Sequence, residues 1–324
     1  MNYLMLSVGR RCEVLKNFRT SIKSDSKIIA TDLSPYAPAL YFADKQYIVP
    51  RIDDPLYVGC ILDICKKEKI NAVTTLIDPE IEILAENRAL FEQMGIEVLA
   101  PYTETAKLCF DKYLMFEYLK KNNIETAMTW NDIEKFREAY ENHMVKFPVF
   151  VKPRTGSGSV GARIILDYEA LIEAIHEDSS LIIQEYMDGL DIDVDVYVDT
   201  ISHQAVSAFA KKKIETRIGG ASKTISFIDT DLYEYVKKIV SIMQFNGPID
   251  MDFFYRDGKY YLSEINPRFG GAYLHAYGAG VDFIKNIETN LAGVENKPCF
   301  GNYDEDIVMM MYDSVVIKKK EDLA

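Results

Sequence analysis

The stretch VKPRTGSGSVGARIIL, residues 151–166, decides how this chain is read. Gly156, Gly158 and Gly161 spell G-x-G-x-x-G, and the outer two glycines also begin a G-x-x-x-x-G-K-[S/T] phosphate loop. Dinucleotide-binding turns and P-loops both run from strand to loop to helix, so that phosphate meets a helix N-terminus. Here the glycines are followed by Ala162-Arg163-Ile164-Ile165-Leu166, an apolar, β-branched run, and helical spacing begins only after Asp167. Ala162 and Arg163 stand where Lys and Ser/Thr would be needed. The context predicts a glycine-rich flap between two antiparallel strands, with Lys152 on the first. Glycine lets such a backbone approach phosphates closely with its N–H groups. Protein kinases use a flap of this kind, but their H-R-D and D-F-G signatures are absent. Taken alone, the pattern fits a surface hairpin better than a nucleotide site; two further stretches change the balance.

The first is DMDFFYRDGKYYLSEINPRFGG, residues 250–271. Asp257-Gly258 is a strong hairpin turn between strands at 249–255 and 259–265. Glu264 and Asn266 lie two apart and share a face, and Asp252 lies on the partner strand. Three oxygen-bearing side chains then converge on one face, the hard donor set that Mg²⁺ takes together with phosphates and water. Pro267 ends the strand, and Arg268 follows with a fork suited to phosphate. A solvent-facing acidic strand is the alternative; the apolar flanks argue against it, because an unpaired carboxylate there is costly. The second stretch is LIIQEYMDGLDIDVDVYVD, residues 181–199. An apolar strand reaches Gln184-Glu185, a linker passes Asp188-Gly189, and an acidic alternating strand follows. The linker's backbone suits an adenine edge and Asp191 suits ribose hydroxyls, although the alternation of Asp191, Asp193 and Asp195 also fits an exposed strand face.

Residues 1–100 alternate strands (3–8, 27–31, 72–76, 97–100) with helices (11–23, 55–67, 80–95), which predicts a parallel sheet with helices on its faces. Ligands of such sheets sit at the carboxyl ends of the strands. Ser7, Arg10, Asp32, Asp78 and Glu80 lie there, and His275 lies in the region after Arg268; each is a candidate substrate contact, with a core or capping role as the equal alternative. From 103 the spacing predicts helices at 105–122 and 132–141, strands at 148–152 and 162–166, a helix at 168–176, and a strand at 181–184. An antiparallel strand pair at 193–200 and 205–211 follows, then helices at 232–245 and 282–291 and a last strand or two within 307–316.

The chain has 324 residues and a formal net charge of -13. An acidic chain repels phosphate backbones and anionic lipid, so neither nucleic acid nor a membrane surface is expected as a partner. No apolar run reaches a membrane span. The apolar start is followed by Arg10 and Arg11, the wrong charge order for a signal peptide, so it reads as a first buried strand. Five scattered cysteines with no C-x-x-C pair predict a reduced, cytoplasmic compartment, and four histidines without ligand spacing argue against a structural zinc site.

A lysine in an early helix, V-K-P before a Gly/Ser-rich flap, Q-E-Y-x-x-G, D-F and E-I-N-P-R occur in the order shown by the ATP-grasp superfamily, which this sequence resembles. Within it, the sequence is similar to stand-alone proteins resembling one half of the carbamoyl-phosphate synthase large subunit. The resemblance implies an N-terminal parallel-sheet, Rossmann-like pre-ATP-grasp domain over 1–102 and a two-lobed ATP-grasp fold over 103–298, with the flap lobe at about 125–185. A C-terminal strand segment, 299–324, would complete that fold or pack on it. It implies ATP and Mg²⁺ (or Mn²⁺) as cofactors. Lys112 and Lys152 would contact the ATP phosphates, under a flap of Thr155, Gly156, Ser157, Gly158, Ser159 and Gly161. Glu185, Tyr186 and Met187 would line the adenine, and Asp191, where the family usually has Glu, would hold the ribose. Asp252, Glu264 and Asn266 would bind the metal. Arg268, Arg217 and Lys152 would act on the transferred phosphoryl group. Lys211, Lys213 and Lys223 lie in the same segment as Arg217, which is preferred among the four. The implied reaction joins a carboxylate, activated as an acyl-phosphate, to an amine such as an amino acid or small metabolite. The alternatives are a carbamoyl-phosphate-type reaction on bicarbonate and ammonia, and a non-catalytic ATP-binding module. The resemblance allows a homodimer, with no interface legible in the sequence.

Overall fold

The computed structural model describes every residue except Ser157, Ser159, Ile218 and Gly219. The first sheet is built from β1 (Asn2–Leu6), β2 (Lys27–Asp32), β3 (Lys45–Ile48), β4 (Ala72–Thr75) and β5 (Glu97–Val98), all parallel in the order β3-β2-β1-β4-β5. The central strand is apolar on both sides because helices cover both faces. Tyr3 and Met5 point to one core with Val14, Leu15 and Phe18 of helix Cys12–Ser21; Leu4 and Leu6 point to another with Tyr57, Ile61 and Ile64 of helix Tyr57–Glu68. The first of these cores also contains Phe269, Tyr273, Phe283, Ile284 and Ile287. Helices Tyr273–Gly278 and Phe283–Leu291, late in the chain, therefore close a face of the sheet that opens it.

The flap sheet comprises β6 (Thr129–Trp130), β7 (Val149–Pro153), β8 (Arg163–Ile165) and β9 (Leu181–Glu185), antiparallel in the order β6-β9-β7-β8. Val149 pairs with Ile165 and Val151 with Arg163, so the glycine loop joins two antiparallel strands as expected. The large sheet comprises β10 (Leu190–Val198), β11 (Ala205–Arg217), β12 (Gly220–Phe227), β13 (Gly247–Arg256), β14 (Lys259–Asn266), β15 (Cys299–Phe300) and β16 (Val308–Met310). Its order is β14-β13-β10-β11-β12-β16, with β15 added alongside β11. On β10, Ile192, Val194 and Val196 face a core shared with helices Lys112–Lys121 and Thr230–Ser241. The intervening aspartates face the other way.

Several elements depart from the periodicity. The helix expected over 105–122 is two, Thr103–Phe110 and Lys112–Lys121, because Asp111 adopts an extended conformation and caps the second by accepting from the N–H groups of Tyr113 and Leu114. The helix expected over 80–95 is broken at Asn87. β3, β12 and helix Tyr273–Gly278 were not foreseen, and the strand expected within 307–316 shortens to three residues.

Candidate active-site cleft

The three sheets meet around a cleft of about 820 Å³, roofed by the glycine loop and floored by the large sheet. Lys112 and Lys152 both line the cleft. Lys112 is the first residue of its helix; its Nζ donates to the Gly156 carbonyl at 2.6 Å and lies 3.8 Å from Glu264 Oε1. Lys152 on β7 is buried. Burial, with Lys112 nearby, pulls its pKa below the ordinary lysine value, and Glu264 opposes this. Thr155, Gly156 and Gly158 line the cleft, and Gly161 packs on Pro153. Gly156, Gly158 and Gly161 all have left-handed φ values, which is why this turn needs glycine. Ser157 and Ser159 lie outside the described residues.

Across the floor, Asp252 of β13 faces Glu264 of β14, Asp250 faces Asn266, and all four line the cleft. The acidic strand β10 lies on the other side of β13, with Asp193 opposite Asp252 and Asp195 opposite Asp250. Lys213 of β11 bridges the strands: its Nζ is 2.5 Å from Asp252 and 2.9 Å from Asp191. Burial works against the Lys213 charge, but Asp252 and Asp191 outweigh it and raise its pKa. Asp191 itself is held above the usual carboxylate range by burial, against the pull of Lys213. Asp252, Glu264 and Asn266 are hard oxygen donors in one patch that already gathers ammonium groups, so they fit a divalent cation. Arg268, just beyond β14, is anchored from the first sheet: its Nη2 donates to Asp78 Oδ2 at 3.0 Å, and its Nε lies 2.8 Å from Asp78 Oδ1 in the same ion pair. Burial disfavours the Arg268 charge, but Asp78 and Asp250 more than restore it.

Not every expected residue faces the cleft. Lys211 is fully buried, its Nζ 2.7 Å from Asp193 and also paired with Asp195; neither aspartate forms an exposed strand face. Lys223 pairs with Glu215 at 2.7 Å, away from the lining. Arg217 lines the outer cleft with a largely exposed side chain, so Lys213 is the inner cation of that segment. Glu185, Tyr186 and Met187 form the linker into β10, outside the cavity lining; Glu185 sits 3.6 Å from Arg256. Of the strand-end candidates, Asp78 reaches the cleft. Asp32 instead tethers the first loop by accepting from the N–H groups of Gly9 and Ser34, and Arg10 is exposed. Glu80 is buried against Tyr57 and Thr75, and burial pushes its carboxyl up to about 8. Ser7 is half-buried with a left-handed φ. His275 is a core residue, bonded to Thr224 at 2.7 Å and packed on Phe209.

The first sheet's contribution that sequence reasoning missed is Arg11. It lines the cleft, and its Nη2 donates to the carbonyls of Phe269 at 3.0 Å and Gly270 at 2.6 Å. Burial and the charge of Arg268 lower its pKa to about 10, still charged at neutral pH. In sequence it is one of two adjacent arginines after a strand, and only the direction in which the helix starts separates it from Arg10.

The cleft thus sets a glycine flap and two lysines against a carboxylate hairpin. A family profile described as an ATP-grasp domain matches residues 109–272, and one described as a PylC-like N-terminal domain matches residues 3–99. The chain belongs to the ATP-grasp family. It is 25% identical over 263 residues to the carbamoyl phosphate synthase large chain of Clostridium perfringens, a match that covers 76% of this chain and 23% of that one. It is 24% identical over 229 residues to a D-alanine–D-alanine ligase of Bacillus anthracis, covering 64% of this chain and 75% of the ligase. The chain thus spans less than a quarter of the synthase it matches. Among solved structures, N5-carboxyaminoimidazole synthetase from Staphylococcus aureus superposes with a TM-score of 0.72 at 18% identity, covering 92% of this chain and 78% of that one. The biotin carboxylase domain of a Hydrogenobacter thermophilus carboxylase, solved with MgADP, gives 0.73 at 18% identity, covering 94% and 73%. These likenesses establish the fold of the chain. No helix among the described residues is long and apolar enough to cross a membrane.

Proposed function

We propose that this protein is an ADP-forming ligase that activates a carboxylate with ATP and joins it to an amine. The observation that carries the reading is the convergence, in one cleft, of Lys112, Lys152 and the glycine loop with Asp252, Glu264, Asn266 and Arg268. A carboxylate oxygen attacks the γ-phosphorus, the bond to the β-phosphate oxygen breaks, and ADP leaves with the electron pair. The amine nitrogen then attacks the acyl carbon, orthophosphate leaves, and the nitrogen gives up a proton. Such transfers need positioning and charge neutralisation more than covalent help. Lys112 and Lys152 neutralise phosphate oxygens, the flap glycines bring N–H donors over them, and Arg268 meets the group in transfer. Arg217 approaches from the rim. Asp252, Glu264 and Asn266 would hold Mg²⁺ or Mn²⁺, which when bound draws charge from the phosphates. Asp191 holds the ribose, and Glu185, Tyr186 and Met187 offer the linker to adenine. The domain division of 1–102, 103–298 and 299–324 belongs to the same reading, as does assembly as a homodimer. The free state of all five cysteines supports a reducing, cytoplasmic setting.

Phosphorus NMR with Mg-ATP and pooled amino acids or other small carboxylates and amines tests this. ADP and orthophosphate that appear only with a carboxylate are expected; AMP and pyrophosphate would overturn the acyl-phosphate chemistry. Turnover with bicarbonate and ammonia alone would assign the carbamoyl-phosphate reaction instead. Glu264→Ala and Asn266→Ala should each lose at least about 100-fold in turnover, the scale set by removing one preorganised electrostatic contact. Retained turnover would refute the metal assignment.

A further inference from the structure

At the inner end of the cleft two guanidinium groups gather on one neutral oxygen. Nη2 of Arg11 donates to the Phe269 carbonyl at 3.0 Å, and Nη1 of Arg268 donates to the same carbonyl at 3.2 Å. Their charges are answered unequally. Arg268 is paired with Asp78 at 2.8 Å and with Asp250 at 3.5 Å. Asp193 and Asp195 are taken by Lys211, so the other carboxylates of this wall are also engaged. Among the described residues no carboxylate lies within ion-pair distance of Arg11, whose hydrogen bonds go to neutral carbonyls. Asp250, Asp78 and Asp195 act on it only from further off, and it stays charged at neutral pH. A half-buried cation that sits beside another cation and has no partner of its own is costly to keep.

There is room for a partner. Nη2 of Arg11 is committed to the Phe269 and Gly270 carbonyls, while its Nε and Nη1 make no hydrogen bond to a described residue, and Arg11 lines the cleft. Gly270, whose carbonyl is held at 2.6 Å, is followed by Gly271 and Ala272, which line the cleft as well. A Cβ on Gly271 would meet nothing within 4 Å, so the space beside this end of the guanidinium is open. The position also separates Arg11 from the phosphate-binding lysines. The charges that act most on Lys152 are those of Glu264, Lys112 and Asp252, whereas Arg11 feels Arg268, Asp250, Asp78 and Asp195. Those acidic neighbours favour a guest with one negative charge over a phosphate dianion.

We propose that Arg11 binds the carboxylate of the acid substrate, in the open space beside Gly271 and next to Arg268. This rests on the ligase reading and names the residue of the first domain that recognises the acid. Arg11 supplies the charge contact that the fold leaves unanswered, and Arg268 meets the phosphoryl group that the same acid receives.

The test is saturation-transfer NMR of pooled free amino acids and pooled simple carboxylic acids against the protein loaded with MgADP, with ADP release measured separately. At least one acid should bind, and its primary amide, which keeps the shape without the charge, should bind about tenfold more weakly or worse. In Arg11→Gln the acid should fall to the level of its amide, while the affinity for MgATP, measured by calorimetry, stays near wild type; Arg11→Lys should recover part of the preference. Gly271→Leu keeps the guanidinium but fills the space, and should weaken the acid likewise. Thermal melting identifies a misfolded variant, and Arg11→Lys and Gly271→Leu carry the test if Arg11→Gln does not fold. A preference for acid over amide that survives Arg11→Gln, or no acid bound by the wild type, overturns the proposal. An equal loss of MgATP affinity in folded Arg11→Gln would put the guanidinium on a phosphate and overturn it too. If acid-dependent ADP release persists in Arg11→Gln with an unchanged KM for the acid, the ligase reading survives without the subsite. If acids bind as expected but no pool yields ADP and orthophosphate, the subsite stands and the ligase reading fails.

Discussion

Glu80 shows how burial, more than any neighbouring charge, sets the behaviour of a residue. Its carboxyl is enclosed by Tyr57 and Thr75 and is raised from 4.5 to about 8. In the unfolded chain it ionises near 4.5, so between 4.5 and 8 the unfolded state holds fewer protons, and stability falls as pH rises through that window. Glu80→Gln keeps the shape and removes the ionisation. Its urea midpoint should match wild type near pH 4.5 and exceed it near pH 8; parallel curves would refute the assignment. At this scale much of the site was legible. Lys112, Lys152, Asp252, Glu264, Asn266 and Arg268 sit in motifs whose chemistry follows from residue type and spacing, and all of them face one cleft. Lys211 and Lys213 show where that stops. They share strand parity, so alternation gives them one face, and only the depth of each decides that Lys211 is sealed against Asp193 and Asp195 while Lys213 reaches Asp252. Arg11 was illegible for the same reason, since its partners lie about 258 positions away in sequence.

Elements with strong punctuation were read correctly, and those without it were not. The Asp257-Gly258 turn fixed the β13–β14 hairpin, and β-branched residues after the glycines marked β8. β3 (KQYI) and β12 (GASKTISF) carry too many polar residues to be distinguished from loops; their partners make them strands. Asp111 was read as mid-helix because its neighbours keep helical spacing. In the structure it caps helix Lys112–Lys121 and grips Arg154 at 2.7 Å, which ties the flap base to the lysine helix. Asp111→Ala should cost about 1–2 kcal/mol in chemical denaturation, and Asp111→Asn less, because asparagine still caps. Equal losses would mean that the ion pair matters and the cap does not. Gly189, at the mouth of β10, allows close strand approach: a Cβ there would lie 2.5 Å from the Tyr255 carbonyl oxygen. Gly189→Ala should destabilise by about 1–3 kcal/mol, the usual cost of overpacking, visible as a lower melting temperature.

Across the whole molecule, the first sheet contributes to the cleft through Arg11 and Asp78. Asp78→Asn would leave Arg268 without its charged anchor. Turnover should drop by about tenfold or more while nucleotide binding, measured by calorimetry, stays near wild type, since Lys112 and Lys152 are untouched. A matching loss in both would show that Asp78 supports the fold and not the position of the arginine. Alternating strands and helices announced the parallel sheet, yet nothing in its sequence said what covers the face of Tyr3 and Met5. The cover is Tyr273, Phe283, Ile284 and Ile287, near the far end of the chain. That arrangement bears on synthesis. A ribosome adds about 5–20 residues per second, so the apolar face completed early at β1 waits some tens of seconds for residues 273–291 to emerge. During that interval the nascent sheet is a client for chaperones, and a chain stopped at residue 272 would carry the whole nucleotide cleft and still be expected to aggregate.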